Sequence, residues 1–252
     1  MKSVRIAGPT GFLHFDDAGA GGVPVVFVHS YSGSAAHWSS QLRHLRSTRR
    51  AVALDLRGHG QSESPARDDY AVESLAGDIA AVVDGLGIER FVLVGHSLGG
   101  AVAIAYAGEH PEQTVGLLLV AAPGQVPADQ ANQIMTAMES DYEKVNESYW
   151  KQLLAGAQPQ VLVQLRGEMA SLPRQAALSI LRATFQFDPL PALRAYRGPK
   201  LEVITPRGDT PHALHKLVPD LPHILVTGTS HWPHMDKPDE FNRIMDGFLT
   251  TI

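Results

Sequence analysis
Gly95-His96-Ser97-Leu98-Gly99 is the stretch of this 252-residue chain with the plainest chemical content. It follows an apolar run, Phe91-Val-Leu-Val94, and precedes a small-residue segment, Ala101 to Ala107, that suits the start of a helix. A serine on a sharp turn between a buried strand and a helix carries its hydroxyl at the strand's carboxyl end, where unpaired helix N–H groups favour negative charge. The flanking glycines permit the turn and let neighbouring backbone approach closely. The plain alternative is a glycine-rich turn that only packs tightly. A phosphate-binding loop fits worse, because no Lys follows the glycines.

A serine hydroxyl is a weak nucleophile near neutral pH and needs a histidine base oriented by a carboxylate. Among the 12 histidines, His231 stands in a loop between the run Ile224-Leu-Val-Thr227 and the closing helix, and His234 is its nearest rival. The acid should leave a strand end between serine and histidine, since the chain order on such a scaffold is serine, acid, histidine. Asp209 follows the run Leu201 to Thr205 through Pro206-Arg-Gly208 and fits that place; its alternative role is a helix cap before Thr210-Pro211. Asp129 and Asp188 stand in reserve. Donors for an oxyanion should come from the backbone N–H of Leu98 and from the loop His29-Ser-Tyr-Ser-Gly33, where Tyr31 is the candidate. The rings of Tyr31, His96 and Trp232 are candidates for substrate contact.

These residues need elements to hold them. Val23-Pro-Val-Val-Phe-Val28, Arg50-Ala-Val-Ala-Leu54, Phe91 to Val94 and Val115-Gly-Leu-Leu-Leu-Val120 lack polar alternation and read as strands covered on both faces. Ser3 to Ala7 and Gly11 to Phe15 read as a hairpin. Leu75, Ile79, Val82, Val83 and Leu86 share one helical face, and so do Phe241, Ile244, Met245, Phe248 and Leu249 after Pro238. Strand and helix in alternation predict an α/β fold, a mostly parallel central sheet with helices on both faces. After Val120 the strand pattern stops, to resume only at Leu201. The expected division is a core of residues 1–124 and 196–252 with a helical cap insertion over 125–195.

Composition narrows the partners. A net charge of −5 and the lack of a long basic run argue against nucleic acid. No stretch reads as a signal peptide or a membrane span, so a soluble cytoplasmic protein without membrane partner is expected. With no cysteine, no His-x-x-x-His spacing and no dinucleotide fingerprint, neither a metal nor an organic cofactor is implied.

The chain resembles the α/β-hydrolase fold superfamily, in particular its capped esterases, C–C-bond hydrolases and cofactor-free haloperoxidase-like members. The markers are His29-Ser-Tyr-Ser-Gly33, Asp55-Leu-Arg-Gly-His-Gly-Gln-Ser62, Gly95-His-Ser-Leu-Gly-Gly100 and Ser230-His-Trp-Pro-His-Met-Asp-Lys-Pro238. The resemblance covers everything but the insertion and implies a triad of Ser97, Asp209 and His231 under a cap. Three features depart from the family pattern: Ser30 replaces the usual glycine after His29, Ser230 replaces the glycine before His231, and only 22 positions separate Asp209 from His231. That spacing leaves room for a helix of about His212 to Val218. A serine at the elbow implies neither the haloalkane dehalogenase nor the epoxide hydrolase chemistry, which the family runs from an aspartate there.

The expected activity is hydrolysis of a small, largely apolar carboxylic ester or lactone through an acyl-enzyme. The apolar cap residues Met135, Met138, Tyr142, Trp150, Phe185 and Phe187 suit either such a substrate or the cap's own core. C–C bond hydrolysis and perhydrolysis use the same triad, and a ligand-sensing receptor on this scaffold would keep it too.

Overall fold
The apolar runs become strands because each lies between two layers. A computed structural model describes residues 2–169 and 171–252. It contains β1 (Lys2–Ala7), β2 (Phe12–Ala18), β3 (Val25–Val28), β4 (Ala51–Leu54), β5 (Phe91–His96), β6 (Thr114–Val120), β7 (Lys200–Ile204) and β8 (His223–Leu225). They form one sheet in the order β1-β2-β4-β3-β5-β6-β7-β8. β2 is antiparallel to β1 and β4, and the remaining neighbours are parallel.

Side chains of the central strands alternate between two cores, the period of an extended chain. Val26, Val28 and Leu93 face α2 (Val72–Gly85) and α3 (Leu98–Glu109), whereas Val25, Phe27, Val92 and Val94 face α1 (Ser39–Leu45) and α11 (Pro238–Leu249). Burying Phe241, Met245 and Leu249 of α11 contributes about 1.5–3 kcal/mol each. Between β6 and β7 the described residues form α4 (Ala128–Ser140), α5 (Tyr142–Leu153), α6 (Pro159–Glu168), α7 (Arg174–Gln186) and α8 (Leu190–Ala195). α9 (Leu214–Leu217) and α10 (Pro233–Asp236) complete the helices. The helix expected over 212–218 is thus a single turn, closed at its start by the Thr210 carbonyl, which accepts from the Ala213 N–H. β8 stops at Leu225, before the turn at Gly228, whose φ is +66°. No helix among the described residues is long and apolar enough to cross a membrane.

The motif from Asp55 to Ser62 is structural. Arg57 is buried against Asp78 at 2.7 Å, and Asp55 accepts from Ala35 N–H at 2.6 Å and Gln61 N–H at 2.8 Å, with His14 Nδ1 2.7 Å away. A buried carboxylate with this many partners ties the β4 loop to β2 and to the turn after β3.

Candidate active site
Backbone strain gathers at one edge of the sheet. Among the described residues, the non-glycine residues with positive φ are Ser32 (+56°), Ser97 (+52°) and Ala121 (+44°), which follow the carboxyl ends of β3, β5 and β6. Each such conformation costs about 1–3 kcal/mol and persists only where its surroundings dictate it. At Ser97 they do: a Cβ on Gly95 would run into the Gly99 carbonyl, and one on Gly99 into the carbonyls of Val28 and His29. β5, the turn and α3 therefore pack closer than side chains allow, and Ser97 must take φ +52° and ψ −117°.

The Ser97 N–H donates to the Val120 carbonyl at 2.9 Å. The N–H groups of Leu98 and Tyr31, by contrast, donate to no acceptor among the described residues. Two free donors on loops of adjacent strands, β5 and β3, are what an oxyanion would require.

β8 lies three strands from β5, about 14 Å across the sheet, so the segment after it must double back to reach Ser97. Two bonds hold it there. His96 Nε2 donates to the His231 carbonyl at 2.8 Å, and the His231 N–H donates to the Leu153 carbonyl at 3.1 Å. The rings of His96 and His231 are 4.9 Å apart. The histidine is thus fixed beside the serine's own neighbour, with no side-chain hydrogen bond to its ring among the described residues. Burial first, and then the charge of Arg207, pulls His231 down to about 4.

The remaining sequence candidates have other surroundings. His96 is wholly buried, and Trp232, 1% exposed, stacks on Trp150 with centroids 5.7 Å apart. Protein groups enclose both rings, so they support the His231 loop and leave no face for substrate. Tyr31 has its ring 6.3 Å from Trp150, and its phenol is hydrogen-bonded to Tyr142. His234 is stacked on Trp38 at 4.1 Å, away from solvent. Asp188 accepts from the Leu190 N–H at 3.1 Å, and Asp129 lies in the exposed first turn of α4.

Asp209 is on the loop leaving β7, but its carboxylate meets His215 Nε2 at 3.0 Å and Lys216 Nζ at 3.1 Å rather than His231. Lys216 and then His215 hold it below the usual carboxylate range. The cause lies in the single-turn α9, which brings His215 and Lys216 directly over the loop. Beneath them a second carboxylate, Glu202 of β7, is 1% exposed, with Oε2 3.5 Å from His215 Nδ1. Burial pushes Glu202 up to about 7, against the pull of the His215 backbone N–H. The unfolded chain ionises this group first, so its contribution to stability falls as pH climbs from about 4.5 to about 7. Glu202→Gln removes that loss. Urea unfolding should show the variant gaining about 2 kcal/mol on the wild type between about pH 5.5 and about pH 8, whereas a constant difference would place the ionisation elsewhere.

The helices between β6 and β7 are tied to this edge. Glu168 of α6 pairs with His37, its carbonyl accepts from Ser32 Oγ at 2.9 Å, and Gln158 N–H donates to Asp236 at 2.8 Å. Arg207 Nη2 donates to Gln152 Oε1 of α5 at 3.1 Å. Sequence reasoning passed over Arg207, Glu202, His215 and Glu168. A carboxylate inside the buried run Leu201-Glu-Val-Ile204 was a legible anomaly, whereas Glu168 has no local signal.

Comparison with known proteins bears on this geometry. A model described as the alpha/beta hydrolase family matches residues 25–244. The chain belongs to the alpha/beta hydrolase family. Among curated members, Epoxide hydrolase 4 of Mus musculus is 37% identical over 113 residues, 44% of this chain and 32% of that protein. The acetyltransferase component of the acetoin cleaving system of Pseudomonas putida is 38% identical over 110 residues, 44% of this chain and 30% of that protein. The chain thus spans about a third of the length of these relatives. Of solved structures, an esterase from Thermogutta terrifontis aligns with a TM-score of 0.84 and 22% identity, covering 100% of this chain and 99% of the other. At such identity the likeness is one of fold, and the eight-stranded, mostly parallel sheet is that of the family.

Proposed function
We propose that the protein is a serine hydrolase acting on carboxylic esters or lactones, with Ser97 as nucleophile and His231 as base. The observation that carries the reading is the strained Ser97 turn, flanked by the unengaged N–H groups of Leu98 and Tyr31 and overhung by the His231 loop. Such strain clusters at functional sites, where the surrounding structure holds it in place.

Ser97 Oγ adds to the carbonyl carbon while His231 takes its proton, and Leu98 and Tyr31 N–H groups hold the oxyanion. The imidazolium returns that proton to the leaving alkoxide, and an acyl-enzyme remains. Water then adds to the acyl carbon with His231 as base, releasing the acid and restoring Ser97. Asp209 is the acid by its place in the chain order. Its carboxylate would exchange His215 and Lys216 for His231 as the imidazolium forms. The exchange costs little on the Lys216 side, since that lysine is half-exposed and water screens the pair. On the other side, an imidazolium held away from water gains strongly from a carboxylate. Opening an epoxide through an enzyme carboxylate is unavailable to a serine, which separates this reading from the names of the epoxide hydrolase relatives.

Treatment with a fluorophosphonate and peptide mass spectrometry should place the adduct on Ser97. Prior exposure to p-nitrophenyl acetate should slow labelling, through acylation of the same oxygen. An adduct on any other serine would overturn the assignment.

A further inference from the structure
A cleft of about 670 Å³ runs along α5 between it and α4, and the β7 loop closes one end. Its walls are apolar, with Ile134, Met138, Val145 and Tyr149, while its charged lining is Lys144 and Arg207 against one acid, Asp141. The Asp141 carboxylate accepts the Lys144 backbone N–H at 3.4 Å at the start of α5 and keeps its charge, so the lining carries one positive charge in excess. Neither Lys144 nor Arg207 has an ion-pair partner among the described residues, although Arg50 and Arg182 each have one and Arg57 has two.

Arg207 lines this cleft, and its charge reaches His231. Adjacent residues at the end of α5 bind the two: Gln152 Oε1 accepts from Arg207, and the Leu153 carbonyl accepts from the His231 N–H. The charge of Arg207 accordingly acts on His231 and on the hydroxyl of half-buried Tyr149. A guanidinium offers five N–H donors in a fork that matches a carboxylate, and Gln152 occupies only one side of it.

We propose that this cleft binds the non-reacting part of the substrate and that the substrate is an anionic ester or lactone, its apolar chain along α5 and its carboxylate on Arg207. The inference rests on the serine-hydrolase reading for the reaction, but the binding it describes is independent of turnover. A neutral ester would leave Arg207 to water and gain only the apolar contacts. A carboxylate would also cancel the positive charge beside His231, so that the proper substrate makes its own base stronger.

Two measurements test it. In Arg207→Gln the KM for mono-p-nitrophenyl glutarate should rise about 10-fold or more relative to whatever change the KM for p-nitrophenyl butyrate shows. Arg207→Lys should fall between, for it keeps the charge and loses the fork. Separately, monomethyl adipate titrated calorimetrically into Ser97→Ala protein should bind saturably, and Ser97→Ala with Arg207→Gln should not bind it. Equal effects on both esters, or binding indifferent to Arg207, would overturn the proposal. Binding that depends on Arg207 in a protein whose Ser97 takes no fluorophosphonate would uphold the cleft and sink the reaction instead.

Discussion
Ser97→Ala should lose about 10³- to 10⁶-fold in kcat on a p-nitrophenyl ester while keeping its fold and its thermal midpoint. The loss corresponds to roughly 4–8 kcal/mol of transition-state stabilisation, because the covalent route disappears and only the N–H donors remain. The same position allows a control that few active sites offer. Ser97 holds φ +52° and ψ −117°, a region that glycine enters freely and other residues do not. Alanine keeps that strain and glycine removes it. Ser97→Gly should therefore be as inactive as Ser97→Ala but more stable by about 1 kcal/mol in urea unfolding. If Ser97→Ala keeps wild-type kcat, the nucleophile is wrong. If Ser97→Gly is no more stable than Ser97→Ala, the strain is not a property of the turn.

What the sequence made legible follows from how local the determining physics is. The strands between Val25 and Val120 could be read because burial on both faces leaves unbroken apolar runs, and the serine turn because Gly95 and Gly99 are dictated by contacts within ten residues or across one strand. The order of strands and the doubling back of the segment after β8 are nonlocal and left no mark in the local pattern. The partner of Asp209 could not be read that way. It depends on where a one-turn α9 sets His215 and Lys216, a matter of three-dimensional reach across seven residues. His96 and Trp232 look like ligand groups in a sequence because aromatic and imidazole rings near a nucleophile often are. Here Trp150, which arrives from α5 more than fifty residues from His96, covers the ring of Trp232. Helices between β6 and β7 were predictable as helices, but which of their side chains meet the core edge was not, as Glu168 on His37 shows.

Mild acid should unfold this protein, because its interior holds neutral histidines. Burial lowers His29 and His59 to about 3 and His231 to about 4, and it lowers His96 and His234 as well. Hydrogen bonds explain why the neutral forms are built in. His29 donates from Nδ1 to the Ser30 carbonyl and accepts the Leu56 N–H at Nε2, so a second proton would break a bond as well as bury a charge. His59 donates to the Arg57 carbonyl and has Nε2 enclosed without a partner among the described residues. Each of these groups binds its proton in the unfolded chain near pH 6.5, well before it does so in the folded one, so stability falls as pH drops below that value. By about pH 5 each of His29, His59 and His231 has removed about 2 kcal/mol. Glu202, which regains stability in the same interval, returns about 2 kcal/mol, and Asp78 runs in that direction too. A net loss of about 4 kcal/mol or more, before His96 and His234 are added, is a large part of the stability of an ordinary domain. The urea midpoint should therefore fall steeply between about pH 7 and about pH 5, and His59→Asn, whose amide keeps the bond to Arg57, should lessen that fall by about 2 kcal/mol. A midpoint indifferent to pH in this range would show that these imidazoles reach water. Because His231 itself stays neutral to about 4, activity on a neutral ester should disappear with the fold before its base is protonated.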